Sequence, residues 1–451
     1  MQNNRPSPIF TWGKITVLSA PGIAFVGFYW SITVVFPSYF TQHFGMSLGM
    51  TATLLSVVRL WETLIAPLIG ALSDATSSRF GRRKLWMVAA TPGVMAATAT
   101  IYFARPDLPA WCLVLAMVVL CTGWTMINVP HGAWSLEISA RADERARIFG
   151  MRQFIGYGAM ILFSLAPAIS EQVWPVAGVA PHMIFAGSLI LVTLPVSLVF
   201  LARRVPERPA TPSRLSLRQV WRIYVLPLRG ADFAPVAALF AAMGVYTAVE
   251  AALYLFLVRA GLGLGDWGMT LMLLQFACGL VSIPPWLAVH RRLGTVPTLR
   301  LIALLQVAGA IGLAFLPHGR LAPFIALAVL RGLVNGTEFI LIRALLGRLL
   351  DSHAARNADV PAASYYASFH FLLDVAAAVT TFLVLHALAF TGFDPRAALP
   401  PSLDQAGRIQ WLAALALSLP PAAMLVLLGR MEPRPRLRTS THANKAAEPA
   451  R

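Results

Sequence analysis

The chain has 451 residues, of which 57% are hydrophobic and only 12% charged. Soluble domains carry about 25% charged residues, so with a mean hydropathy of +0.68 the bulk of this chain belongs in lipid, with no room for an ordinary soluble domain or an ATPase domain. The net charge of +17 is placed in the gaps between apolar runs, which argues against nucleic acid as a partner, and Cys112, Cys121 and Cys278 lie within apolar runs at spacings that suit neither a metal nor a disulfide framework.

Twelve apolar runs follow in order: 15–42, 49–73, 85–104, 108–135, 148–170, 182–202, 233–258, 267–289, 299–317, 321–349, 362–390 and 408–429. A spanning helix needs about 20 apolar residues. Barrel strands would alternate, so these continuous runs predict helices. The first run is too long for a signal peptide and reads as a retained helix. An even number of spans puts both termini on one side. That side collects Arg79, Arg82, Arg83 and Lys84, then Arg141, Arg145 and Arg147, then the arginines of 203–232 and of the tail. The positive-inside rule makes it the cytoplasm, so a multi-pass protein of a bacterial-type inner membrane is expected.

The stretch 203–232, RRVPERPATPSRLSLRQVWR and beyond, divides the runs six and six. It predicts a cytoplasmic linker between an N-terminal bundle (1–202) and a C-terminal bundle (233–430), followed by a polar, disordered tail at 431–451. Part of the linker reads equally as a basic amphipathic helix on the membrane surface or as a solvated connection. A weak internal repeat supports the two halves: SDATSSRFGRRK follows the second run, and the shorter HRRLGT follows the eighth.

A charge near the middle of a bilayer costs at least about 2.5 kcal/mol on insertion scales, so such residues default to a functional reading. Arg59 and Glu62 are three apart in the second run and share a helical face. They read as a cation-exchanging carboxylate held by an arginine, or as an ion pair that only packs helices. Asp374 sits mid-run with His370 one turn before it, fitting a proton relay, a substrate contact or a buried pair with an arginine. Glu250 and Glu338 lie off-centre and are weaker candidates for a cavity lining. Asn128 and His131 flank Pro130 at a possible helix break, with packing as the other reading. The loop Gly70-x-x-Ser73-Asp74-x4-Arg79-x-Gly81-Arg82-Arg83 combines a close-packing glycine, a turn glycine and an acid that can bond arginines. It fits a latch on the cytoplasmic gate.

That loop resembles the one between helices two and three of the major facilitator superfamily. RLWETLIAPLIGALSD is similar to the second helix of the glycoside–pentoside–hexuronide:cation symporters, the melibiose-permease type, which reads approximately R-x-W-D-x-x-x-D-P-x-x-G. NVPHGAWSLEISARADERARIFGMRQFIGYG resembles that family's fourth-to-fifth helix segment, with Glu137, Asp143, Glu144, Arg145 and Arg152. GLVNGTEFILIRALLGRLLDSHAARNADVPAASYYASFHFLLD resembles its helices ten and eleven, with Gly332, Gly336 and Asp351 at family-like positions. The resemblance implies an all-α membrane fold of two pseudo-symmetric six-helix bundles working by alternating access about a midplane site.

The departures matter as much. The family's sodium-site carboxylates correspond here to Glu62, Ala66 and Asn128, so one acid remains of three, and a helix-eleven lysine falls at Asp374. The helix-one sugar-binding aspartate falls near Val26, with no acid nearby. Sodium prefers several hard oxygens, which makes proton coupling the stronger expectation. The expected protein is therefore a monomeric secondary transporter of a sugar, glycoside or uronate, with no cofactor beyond the coupling ion, H+ or Na+, and the bilayer and a small solute as its partners. Its expected cation-coupling residues are Glu62, Arg59 and Asn128. Its expected substrate contacts are Arg152, Asp374, His370 and Asn128, and its gate is Gly70, Asp74, Arg79, Gly81, Arg82 and Arg83. A lysolipid transporter of the same family and a non-transporting sensor or assembly factor are the alternatives. Nothing in the chain predicts an enzyme.

Overall fold

The computed structural model describes residues 11–138, 142–173, 178–207, 233–354, 362–396 and 401–431. The expected linker beyond 207 and the expected tail beyond 431 lie outside these residues. Among the described residues there is no strand, and twelve helices are long and apolar enough to cross a membrane. They are α1 (Trp12–Gln42), α2 (Leu48–Ala75), α3 (Arg82–Tyr102), α4 (Ala110–Ser135), α5 (Gly150–Gln172), α6 (Ala180–Arg204), α7 (Ala234–Gly261), α8 (Gly265–Leu293), α9 (Thr295–Ala314), α10 (Leu321–Leu349), α11 (Ala367–Phe390) and α12 (Leu403–Arg430).

The helices are apolar outward as well as inward. On α2 the exposed side chains Val57, Trp61, Leu64, Leu68 and Leu72 recur at helical spacing along one stripe. Water would penalise that stripe, whereas hydrocarbon accepts it. Arg59 and Glu62 leave the same helix on another face. The indole N–H of Trp61 donates to Thr122 Oγ1 of α4 at 2.9 Å, which satisfies the one polar atom on the stripe.

Packing follows the chain's two halves. In the first, α1 packs on α5 and α6, α2 on α4, and α3 on α4 and α6. In the second, α7 packs on α11 and α12, α8 on α10, and α9 on α12. Equivalent pairs approach closely through glycine. A methyl group at Gly27 of α1 would run into the Phe163 ring of α5, and one at Gly244 of α7 into the Leu373 carbonyl of α11. The halves meet where α2 packs on α11, α5 on α8, and α1 on α7.

Three helices are irregular. α1 bends at Pro21 and widens into a π turn at Ser31–Val35, just before Pro37 removes a backbone donor. α7 ends in a second π turn at Leu257–Gly261. α10 breaks between Val334 and Thr337, where Gly336 takes a φ of 100°.

Candidate functional site

The central site is built where α2 and α11 meet between the halves. A narrow cleft is lined by Tyr29 and Thr33 of α1, Arg59 of α2, Thr247 and Ala248 of α7, and Thr381 of α11, among others. The guanidinium of Arg59 lies over the Tyr29 ring, 5.3 Å from its centroid, a cation–π contact that holds it at the cleft wall. Glu62, one turn further along α2, is half-buried. Asp374, across the seam on α11, is exposed, one turn before the cleft-lining Ala377. The charges of Arg59, Glu62 and Asp374 act on one another.

Arg59 and Glu62 do not form the direct pair expected from their spacing. Among the described residues Glu62 and Asp374 make no ion pair and accept no hydrogen bond. A three-residue spacing brings two side chains to one face, but the aromatic face of Tyr29 draws the guanidinium toward α1 instead. Asn128, on α4, is half-buried. The next residue, Val129, packs against Gly70, so Asn128 lies further toward the chain-terminal end of the membrane than Glu62 does.

His370 does not relay to Asp374. Arg343 of α10 donates to its Nε2 at 2.6 Å, and the rings of Phe240 and Phe339 flank it edge-on. A guanidinium only donates, so this nitrogen must accept. Arg152 donates to Ser135 Oγ at 3.2 Å, Ser135 donates to the His131 carbonyl, and His131 Nε2 meets the Leu18 carbonyl at 2.7 Å. Arg152 is thus tied to α4 and α1, and His131 is a core residue. Glu250 accepts from Arg331 at 2.8 Å and, at both of its carboxylate oxygens, from Asn335 Nδ2, while Tyr246 and Gln306 donate to Asn335 Oδ1. This network fills the break in α10. Glu338 accepts the freed N–H of Gly336 at 2.8 Å. Both acids therefore serve the broken helix. The side chains of Glu137, Asp143, Glu144, Arg145 and Asp351 lie outside the described residues.

At the chain-terminal end, the loop after α2 closes on itself. Asp74 pairs with Arg83 and lies 3.8 Å from Arg82, and Arg83 also donates to Ser73 Oγ. Arg79 is exposed over Phe80 and makes no ion pair with Asp74, so it is not part of this latch. Gly81 holds a φ of 101°, and a side chain there would also strike the Glu207 carboxylate. Glu207 is the member that sequence reasoning missed. It accepts the N–H groups of Arg83 at 2.8 Å and Lys84 at 3.3 Å, capping the positive end of α3 from beyond α6. The only sequence signal was a single acid in an otherwise basic stretch. Glu207→Ala is expected to cost about 1–2 kcal/mol of local stability, in line with lost helix caps. Amide exchange over residues 76–85 should then quicken about tenfold, and unchanged exchange would show the cap to be idle.

At the opposite end, the halves are sealed. Glu171, closing α5, accepts the N–H groups of Met269 and Thr270 at 2.8 Å each and the Thr270 hydroxyl at 3.0 Å. Gln172 donates to the Asp266 carbonyl at 2.7 Å. Gly49 of α2 packs on His386 of α11. Among the described residues, every hydrogen bond between the halves lies at this end. The molecule is therefore closed on the side away from its termini.

The arrangement of two six-helix halves around a central cleft is shared with known proteins. It matches a solved structure of a proton-dependent oligopeptide transporter with a TM-score of 0.65, covering 93% of this chain and 97% of that one at 12% identity, a likeness of fold alone. In sequence it is similar to the uncharacterized symporter YnaJ of Bacillus subtilis (strain 168), 27% identical over 176 residues, which is 37% of this chain and 38% of that protein. It is also similar to the isoprimeverose transporter of Lactiplantibacillus pentosus, 23% identical over 198 residues, 41% of each chain. The aligned parts thus span about two fifths of these curated relatives. The family model described as MFS/sugar transport protein matches residues 17–431, nearly the whole chain. With that match, the chain belongs to the MFS/sugar transport family, the glycoside–pentoside–hexuronide:cation symporters of the major facilitator superfamily.

Proposed function

We propose that this protein is a secondary transporter that couples uptake of a sugar, glycoside or uronate to a proton gradient by alternating access. One observation carries the reading. Glu62 sits midway along a membrane-spanning helix with no protein partner among the described residues, one turn from an arginine that lines the cleft between the halves. Burying a carboxylate there without a permanent counter-ion is costly unless losing and regaining a cation is its task. Sodium would want more hard oxygens than this site holds, and the guanidinium of Arg59 repels a metal ion, so a proton is the better cargo. The hydroxyls of Thr33, Thr247 and Thr381 each donate to a carbonyl of their own helix and keep an oxygen free to accept, and Arg59 supplies donors, so a polyol can bond to one wall of the cleft and lie against the Tyr29 ring. The names of relatives, a symporter and an isoprimeverose transporter, agree with a sugar-type solute. The arginine-rich loops favour cytoplasmic termini in an inner membrane, and the end sealed by Glu171 is then the outer one. Arg59 biases the carboxylate, Asn128 and Arg152 contact solute or gate, and the Asp74–Arg83 latch steadies the first half. The protein acts as a monomer.

The test is uptake by vesicles holding the full-length protein, across glycosides, uronates and lysolipids, with an imposed proton or sodium gradient. Accumulation of a sugar-type solute driven by protons is expected. Accumulation of lysolipid, dependence on sodium alone, or no accumulation of anything would overturn the reading.

A further inference from the structure

The family-like positions leave one acid on α2, but the fold supplies another from the opposite half. Asp374 stands on α11, the helix against which α2 packs. Its helix continues directly into the cleft wall, where Ala377 and Thr381 lie three and seven residues on. Glu62 and Asp374 both lack a hydrogen bond or ion pair among the described residues, and the charge of Arg59 acts on both. The other titratable groups felt by Arg59 are Tyr29 of α1 and Cys121 of α4. His370, one turn before Asp374, is turned to Arg343.

Two carboxylates and one guanidinium carry a net charge of −1, which a single monovalent cation neutralises. We propose that Glu62 and Asp374 form one cation site shared between the two halves, and that a single proton bound there couples the halves' movement to the gradient. This rests on the proton-coupled reading above and assigns Asp374 to coupling rather than to the solute. The proton forms one O–H bond on either carboxylate, and the other, which is not hydrogen-bonded to it in the conformation described, closes on the loaded group as α2 and α11 shift. A ligand bridging two bodies favours the arrangement in which both can reach it, so its loading biases the rocking motion. With the proton gone, like charges on facing helices push the halves apart at this seam.

The experiment uses purified full-length protein in lipid, with infrared difference spectra recorded as pH is stepped. The wild type should show one titrating carboxyl band. Glu62→Gln and Asp374→Asn should each move or abolish that same band, the double variant should add nothing, and Asp374→Glu should restore it. Two independent bands lost one by one, or a band indifferent to Asp374→Asn while Asp374→Glu is folded, would overturn the shared site. A site that fills with sodium, seen as 22Na+ binding lost in both single variants, would keep the shared carboxylates but overturn the proton as the ion. Vesicle uptake separates the two levels. If the wild type accumulates solute and Asp374→Asn accumulates it equally, only the shared site fails. If the wild type accumulates nothing, the transport reading fails with it.

Discussion

Glu62→Gln should abolish uphill accumulation while leaving solute exchange across the membrane partly intact. The amide keeps the shape and the hydrogen-bonding capacity of the carboxyl group but cannot take up or release a proton at any accessible pH. It behaves as a permanently loaded site. A loaded carrier can still bind solute on one side and release it on the other, so exchange survives. An empty carrier cannot return uncoupled from a proton that never leaves, so net uphill movement does not. One pH unit across the membrane supplies about 1.4 kcal/mol per proton. At one proton per solute that supports about tenfold accumulation in the wild type, against a ratio near one in the variant. The measurement is the ratio of internal to external labelled solute in vesicles with a one-unit gradient, beside counterflow at equal pH. Accumulation at the wild-type level would remove Glu62 from the coupling step. Loss of both accumulation and counterflow would place its role in binding or folding instead.

The spans were legible because lipid imposes one rule on every residue facing it. Runs such as 182–202 and 49–73 lie within the helices Ala180–Arg204 and Leu48–Ala75. The errors fall at helix ends, and the largest at polar turns: α8 runs four residues past the expected 289, through Arg291 and Arg292, to Leu293. α9 begins at Thr295 after Gly294, and α12 begins at Leu403, where Ser402 and Gln405 form a capping box. Caps need oxygen and nitrogen, so a search for apolar runs passes over them. Arg59, Glu62 and Asp374 were also legible, since a mid-span charge is its own signal. Their partners were not. The Tyr29 face that takes Arg59, the Arg343 that takes His370 and the Glu207 that caps α3 come from other helices or from beyond them. Spacing along one helix ranks which residues share a face, but the nearest partner is decided by what the neighbouring helix presents.

Glu171→Ala should release the seal on the side away from the termini and shift the protein toward its opposite-facing state. Glu171 joins the halves through three hydrogen bonds, all accepted by one carboxylate from the first turn of α8. Two are backbone donors at a helix start, where the partial positive charge of the helix adds to each bond. Hydrogen bonds to a charged group are worth about 1.5–3 kcal/mol each. Water replaces part of that when the seal opens, so a net loss of about 2 kcal/mol is a modest expectation, or about 30-fold in the ratio of closed to open forms. The bonds exist only while α5 and α8 are together, so the whole effect falls on the closed form. Glu171→Gln should shift the ratio less, because one amide oxygen replaces two carboxylate oxygens and the charge is gone. A reporter is available at Thr33, which lines the cleft beneath the seal. In a background where the three native cysteines are replaced by Ala, Thr33→Cys should react several-fold faster with a membrane-impermeant maleimide added on the sealed side once Glu171 is Ala. With Glu171→Ala alone, without the Thr33→Cys reporter, solute exchange should persist, since neither the cleft nor Glu62 is touched. An unchanged labelling rate would mean that α2 against α11, through Gly49 and His386, holds that side shut without Glu171.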